Sequence, residues 1–277
     1  MRFSTFFLGI WACLAWAALA AQPAGAYAPG EANLYAETKQ LNQFFRRFNG
    51  EELPDGTRIY AGDARFQSRS LRDAYLMQLM DQQNPELTPS LRRTFADQVL
   101  DAGCVLDFHG GHWFAEVEAE FLIGGRPETV LLFMELQQEA VGSKWVMASL
   151  YAACYDHALD PPPGAPQPDP AFLHPLSHEL DFMNLSKAFR TPENLGGFVS
   201  RSFRPDHLTL FLADAQDKKA VFRSVTQVKF HFFQVEGWYF EVTEFNRPGP
   251  NRGWLISQLF PLAPGQSGAL LNAIYRR

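Results

Sequence analysis

The spacing of apolar side chains changes character along the chain. From Ala32 to Phe48, the residues Leu34, Leu41, Phe44, Phe45 and Phe48 keep near-helical spacing, which predicts an amphipathic helix. Ser68 or Ser70 can cap a second helix carrying Leu71, Tyr75, Leu76, Leu79 and Met80. Thr88-Pro89 is a capping residue followed by a proline in the first helical turn, and it opens a third helix to about Leu100 that Gly103 stops. The period then falls to two. Trp113, Ala115, Val117, Ala119 and Phe121 share one face of a strand, and Glu116, Glu118 and Glu120 share the other. Gly124-Gly125 turns the chain, with further strands over Thr129 to Gln138 and Lys144 to Ala153. Helices first and a strand meander after make an α+β arrangement.

The pattern breaks between Asp156 and Pro170, where six of fifteen residues are proline. Proline lacks an amide proton and fixes φ, so neither a helix nor a central strand can form there. The segment 156–170 reads as an extended linker between a domain at 30–155 and a second at 171–277. The second repeats the order in shorter form. Residues 174–190 are helical in their C-terminal part through Leu180, Phe182, Met183, Leu185 and Phe189. His207 to Leu212, Val221 to Val235, Trp238 to Phe245 and Trp254 to Phe260 read as strands, with Glu236-Gly237 as a two-residue hairpin turn.

The N-terminus adds an address. Met1-Arg2 is a short positive region, and the uncharged apolar run Phe6 to Ala21 follows. Ala18-Leu19-Ala20 places small residues where a signal peptidase accepts them, so residues 1–20 read as a signal peptide cleaved after Ala20, with Ala24-Gly25-Ala26 as a second site. An uncleaved N-terminal membrane anchor and a lipidated Cys13 are the alternatives. The run of 16 residues is short for a span of about 20. No other segment reads as membrane-spanning. A secreted or periplasmic protein is expected.

Composition narrows the picture further. The chain has 277 residues, 47% of them hydrophobic, with 25 Phe, 6 Trp and 8 Tyr, enough to fill a core. With 24 basic and 30 acidic side chains and no basic stripe, nucleic acid is not an expected partner. Loss of Cys13 with the signal leaves Cys104 and Cys154 as an even pair, which suggests one disulfide in an oxidising compartment. Its loop of about 50 residues would contribute roughly 4 kcal/mol.

The two halves end alike. Leu132-Phe133-Met134-Glu135, a turn, then Trp145 and Leu150-Tyr151 stand beside Trp238-Tyr239-Phe240-Glu241, a turn, then Trp254 and Leu259-Phe260, the second strands offset by 109 residues. This points to a duplicated unit. N-terminal helices before a curved meander ending in a Trp-bearing strand, with Phe48-Asn49-Gly50-Glu51-Glu52, His112-Trp113-Phe114-Ala115-Glu116-Val117 and Lys144-Trp145-Val146, resemble the NTF2-like (cystatin-like roll) superfamily, in particular its uncharacterised secreted bacterial proteins. The resemblance implies two such rolls in tandem, each with helices packed on a curved antiparallel sheet around a conical pocket, and it implies no particular reaction.

Familiar catalytic signatures are absent: no Gly-x-Ser-x-Gly, Walker-type loop, His-Glu-x-x-His or Cys-x-x-Cys occurs. Four weaker groupings remain. His109-Gly110-Gly111-His112 could pair two imidazoles across a hairpin as metal ligands, with Asp107 beside them. His174 and His178 stand four apart, with Glu179 next to them. In the Glu236-Gly237 hairpin, a two-residue turn would set Phe233 against Phe240 and His231 against Val242, placing Glu241 among Phe230, Phe232 and Tyr239. A desolvated carboxylate there would have a raised pKa, as proton abstraction beside a carbonyl requires. The Glu116, Glu118, Glu120 ladder reads as a solvated face.

These features favour an exported, non-catalytic binding or interaction protein without a cofactor, taking a protein or an apolar small molecule. In it the two units pack through their sheets as an intramolecular pseudo-dimer. The enzymatic alternative is an isomerase or dehydratase using Glu241 or Glu135 with Tyr151, Tyr239 or His231.

Overall fold

The computed structural model describes residues 41–140, 142–158, 189, 205–249 and 251–276. Helix α1, described over 41–49, turns Leu41, Phe44, Phe45 and Phe48 inward. It ends at Gly50, whose φ of +72° suits glycine and whose missing side chain leaves room for Arg72; a Cβ there would lie 2.6 Å from Arg72 Cγ. Helix α2 (Arg69–Gln78) follows Ser68, and α3 (Pro89–Asp101) begins after Thr88, whose hydroxyl accepts the Leu91 amide at 3.3 Å. Buried Arg72 donates to the carbonyl oxygens of Phe48 and Cys104, which ties the ends of α1 and α3 to α2.

Six antiparallel strands form one sheet: β1 (Trp113–Ile123), β2 (Arg126–Glu139), β3 (Gly142–Tyr151), β4 (Ala220–Phe232), β5 (Trp238–Phe245) and β6 (Gly253–Pro261). Their order is β3-β2-β1-β4-β5-β6. The strand triplets on either side of the proline-rich segment therefore meet edge to edge, through β1 and β4, instead of packing face against face. Each triplet carries a bulge at a corresponding place: Ala148 is skipped between the β2–β3 pairs Phe133–Ser149 and Met134–Met147, and Ser257 between the β5–β6 pairs Glu241–Gln258 and Val242–Ile256.

The space between α1–α3 and the sheet is filled with rings. Trp113 of β1 stacks on its cross-strand partner Phe232 at 5.4 Å, Phe232 on its partner Phe240 at 4.8 Å, and Phe240 faces Phe48 of α1 at 6.1 Å. Phe95 closes edge-on against Trp238 and Phe240. Each fully buried ring contributes about 1.5–3 kcal/mol of transfer free energy. Helix α4 (His207–Gln216), capped by Asp206, extends the same face, with Phe211 edge-on to Phe121 at 5.1 Å. Helix α5 (Gln266–Ile274) lies on the opposite face, where Leu271, Ile274 and Tyr275 meet Phe114, Leu131 and Phe133.

Several expectations are corrected here. His207–Leu212 is helical, since the Asp206 side chain takes the Thr209 amide at 2.7 Å and Phe211 is the buried residue of the helix. The β4–β5 register differs by one: His231 pairs with Glu241 and Phe232 with Phe240, because the Phe233 amide bonds His112 O at 2.8 Å and the turn spans 233–237. Cys104 and Cys154 carry free thiols. Cys104 packs against the large aromatic core, whereas Cys154 is exposed in the turn Ala153–Tyr155, next to the Tyr155 that packs in the α4 core. The signal with Ala20 and Cys13, residues 159–170 of the linker, and the His174, His178 and Glu179 grouping lie outside the described residues. No helix among the described residues is long and apolar enough to cross a membrane.

Candidate functional site

Among the described residues, polar side chains are buried in several places, and two of these bear on function. The first is a seam on the α5 face of the sheet. Alternation along β1, β4 and β5 sends Glu116, His231, Tyr239 and Glu241 to this face, opposite the aromatic stack. His231 is 2% exposed and sits between two partners: Nδ1 lies 2.8 Å from the Tyr239 hydroxyl and Nε2 lies 3.2 Å from Glu116 Oε2. Burial, then the charges of Glu241 and Glu116, push the Tyr239 hydroxyl far above its ordinary pKa, so it stays a donor. Glu116, as a carboxylate, can only accept, so the His231 Nε2–H donates to it. Burial opposes ionisation of Glu116. The His231 hydrogen bond and the charges of His231, Lys229 and Arg276 outweigh it, so the carboxyl lies below its ordinary value.

Glu241 differs from its expected setting. The one-residue change of register moves Phe230 and Phe232 to the other face, so this carboxylate does not lie in an apolar pocket. The Ser257 hydroxyl donates to its Oε1 at 2.7 Å, the Thr243 hydroxyl lies 3.2 Å from the same oxygen, and Lys229 Nζ is 3.7 Å from Oε2. Glu135 accepts from the Tyr275 hydroxyl at 3.2 Å, and Tyr151 contacts Asp156, so neither joins the His231 chain. Three partners were not singled out from the sequence. The period-two alternation puts Glu116 in a solvated ladder, and Lys229 and Ser257 become visible only once the register is known. Glu118 accepts from Thr226 at 2.9 Å, and Glu120 is exposed.

His109 and His112 do not form a cross-strand pair. Residues 108–112 form bends, His112 takes a φ of +65°, and His109 Nδ1 lies 3.1 Å from Ser143 Oγ. Among the described residues no group of three or more potential ligands could hold a metal ion.

The second place is a cavity of about 490 Å³ between α1, α2 and the β5–β6 edge. Buried Phe44, Tyr75, Leu79 and Leu255 line it, with half-buried Arg47 and Trp254, and exposed Glu244 and Arg252. Arg47 Nε is held by Glu52 Oε1 at 3.0 Å, and Glu52 is fully buried with Arg46 and Gln43 as further donors. The Arg47 guanidinium lies 5.8 Å from the Tyr75 ring. The Tyr75 hydroxyl and the Trp254 indole N–H are buried and have no hydrogen-bond partner among the described residues. Burial, ahead of the opposing charge of Arg47, raises the Tyr75 pKa and keeps its proton in place.

Compared with known proteins, the chain matches no family model, no curated protein and no solved structure.

Proposed function

We propose that this is an exported, non-catalytic binding protein that takes a small molecule at the β5–β6 edge. The observation that carries the reading is the filled interior: Trp113, Phe232, Phe240 and Phe48 occupy the space where a roll of this kind would hold a central ligand. The cavity beside Tyr75 and Trp254 falls within the range of about 300–1,000 Å³ usual for ligand sites. None of the three cavities described, the other two being near Val235 and Leu53, is lined by Glu116, His231 or Glu241. Their lone pairs and protons are answered within the sheet, which favours structural use over acid–base chemistry.

The finer architecture belongs to the same proposal: two duplicated halves, related to NTF2-like rolls and joined through β1 and β4 as an intramolecular pseudo-dimer. The matching bulges at Ala148 and Ser257, 109 residues apart like Trp145 and Trp254, support it. Export rests on the signal-like N-terminus.

The test is a thermal-shift screen of the purified protein against acids, amides, amines and sterol-like compounds, run in parallel on Glu241→Gln. A shared set of stabilising compounds is expected for both proteins. An empty screen, or an isomerase or dehydratase activity lost in Glu241→Gln, would overturn the binding reading.

A further inference from the structure

We infer that the β5–β6 cavity recognises a small organic anion, whose carboxylate-like oxygens accept the Tyr75 O–H and the Trp254 Nε1–H beside Arg47; this rests on the binding reading above. The argument starts from the two orphaned groups. An indole nitrogen is a donor only, so Trp254 can be satisfied solely by an acceptor. Buried polar side chains nearly always have a partner in folded proteins, and exceptions call for an explanation. Two such exceptions, Tyr75 and Trp254, line one cavity. Tyr75 is itself only 4% exposed.

The third donor sets the charge. Glu52, fully buried, grips one edge of the half-buried Arg47 guanidinium and shares its own charge with half-buried Arg46, so the trio keeps one excess positive charge next to the cavity. Exposed Arg252 adds a second and exposed Glu244 opposes it. The wall therefore offers donors of neutral and cationic type around a net positive field, which suits an anion and disfavours an amine. Phe44, Leu79 and Leu255 supply the surface for an apolar body. An aryl- or alkyl-carboxylate matches both parts.

The probes are benzoate, phenylacetate and 3-phenylpropionate, each beside its own amide and the corresponding amine. Binding is followed by tryptophan fluorescence, and by the Trp254 indole resonance in a proton–nitrogen spectrum assigned with Trp254→Phe. At least one acid is expected to bind, to move the Trp254 indole proton downfield, and to bind about 10-fold more tightly than its amide. Tyr75→Phe, which removes one oxygen and keeps the ring, should weaken the acid about 10-fold and the amide less, since a hydrogen bond to a charged acceptor is the stronger one. If acid and amide bind alike at this cavity, or Tyr75→Phe changes nothing, the anion assignment falls while the binding reading stands. If the amines bind best, the charge argument is wrong. If none of the acids binds at millimolar concentration, the inference is overturned, and the broader screen then decides the binding reading separately.

Discussion

Phe240→Ala distinguishes a filled interior from a ligand pocket. The Phe240 side chain is fully buried, stacks on Phe232 at 4.8 Å, faces Phe48 at 6.1 Å, and takes the edge of Phe95 at 5.7 Å. Truncation of a buried Phe costs about 3–5 kcal/mol, since transfer free energy is lost and a cavity remains. Ring pairs add about 0.5–1.5 kcal/mol each beyond area, although they are not additive. With protein on both ring faces, the loss should sit near the top of the range, about 4–5 kcal/mol. For a unit of this size that corresponds to a fall in Tm of roughly 10–15 °C. Were one face of the ring open to a pocket, half of those contacts would be missing and the loss would stay below about 2 kcal/mol. Urea unfolding followed by circular dichroism measures the difference, with Val225→Ala, at an exposed position, as a control expected within about 0.5 kcal/mol of the parent. A loss under about 2 kcal/mol with an unchanged denaturant slope would refute the filled-interior argument.

Other consequences follow from individual contacts. Cys104 and Cys154 should both titrate as thiols in denaturant without reductant, with exposed Cys154 reacting first in the native protein; a pair that needs reduction before it reacts would contradict the free thiols. Arg72→Met should cost about 2–3 kcal/mol in urea unfolding, because the carbonyls of Phe48 and Cys104 lose a charged donor in a buried setting. Glu116 has its folded pKa lowered from 4.5, so its ionised form contributes stability above about that pH, and the contribution is lost as pH falls through the folded value. Glu116→Gln should therefore lower Tm at pH 7 and flatten its decline below pH 4.5; a parallel decline in both proteins would show that the His231 bond carries no linkage. Gly50→Ala should destabilise by about 1–3 kcal/mol, measured in the same way, since its φ is +72° and the new Cβ would press on Arg72.

Much of the local structure was legible because short-range physics decides it. Thr88-Pro89 could hardly begin anything but a helix, and the period-two run from Trp113 gave β1 and its two faces. His207-Leu208-Thr209-Leu210-Phe211-Leu212 misled because its alternation also reads as a strand, and one side-chain bond, from Asp206 to the Thr209 amide, decides otherwise. The register of β4 on β5 misled for a longer-range reason. Glu236-Gly237 suits a two-residue turn, but the Phe233 amide is taken by the His112 carbonyl, 121 residues away, and the hairpin opens by one residue. That single step moves Phe232 into the aromatic stack and sets His231 opposite Glu241. The β1–β4 junction, the α5 cover and the Glu116–His231 bond are likewise products of pairing between distant segments, which periodicity does not encode.

The two bulges show why the polar seam and the cavity deserve different readings. At corresponding backbone positions one hairpin holds Phe133 and Ala148 and the other Glu241 and Ser257. Phe133 is fully buried against Tyr275, so the bulge itself does not require a carboxylate. Once Glu241 stands there, burial makes an unanswered charge expensive, and the hydroxyls of Ser257 and Thr243 with Lys229 nearby answer it. A group so satisfied gains little from a solute that would have to displace those partners. The reverse holds at the β6 edge, where Tyr75 and Trp254 have nothing to give up, so an arriving acceptor adds hydrogen bonds and breaks none within the protein. Binding specificity is expected where the folded chain leaves its donors unmet, and this places it on Tyr75 and Trp254 instead of on the better-connected His231.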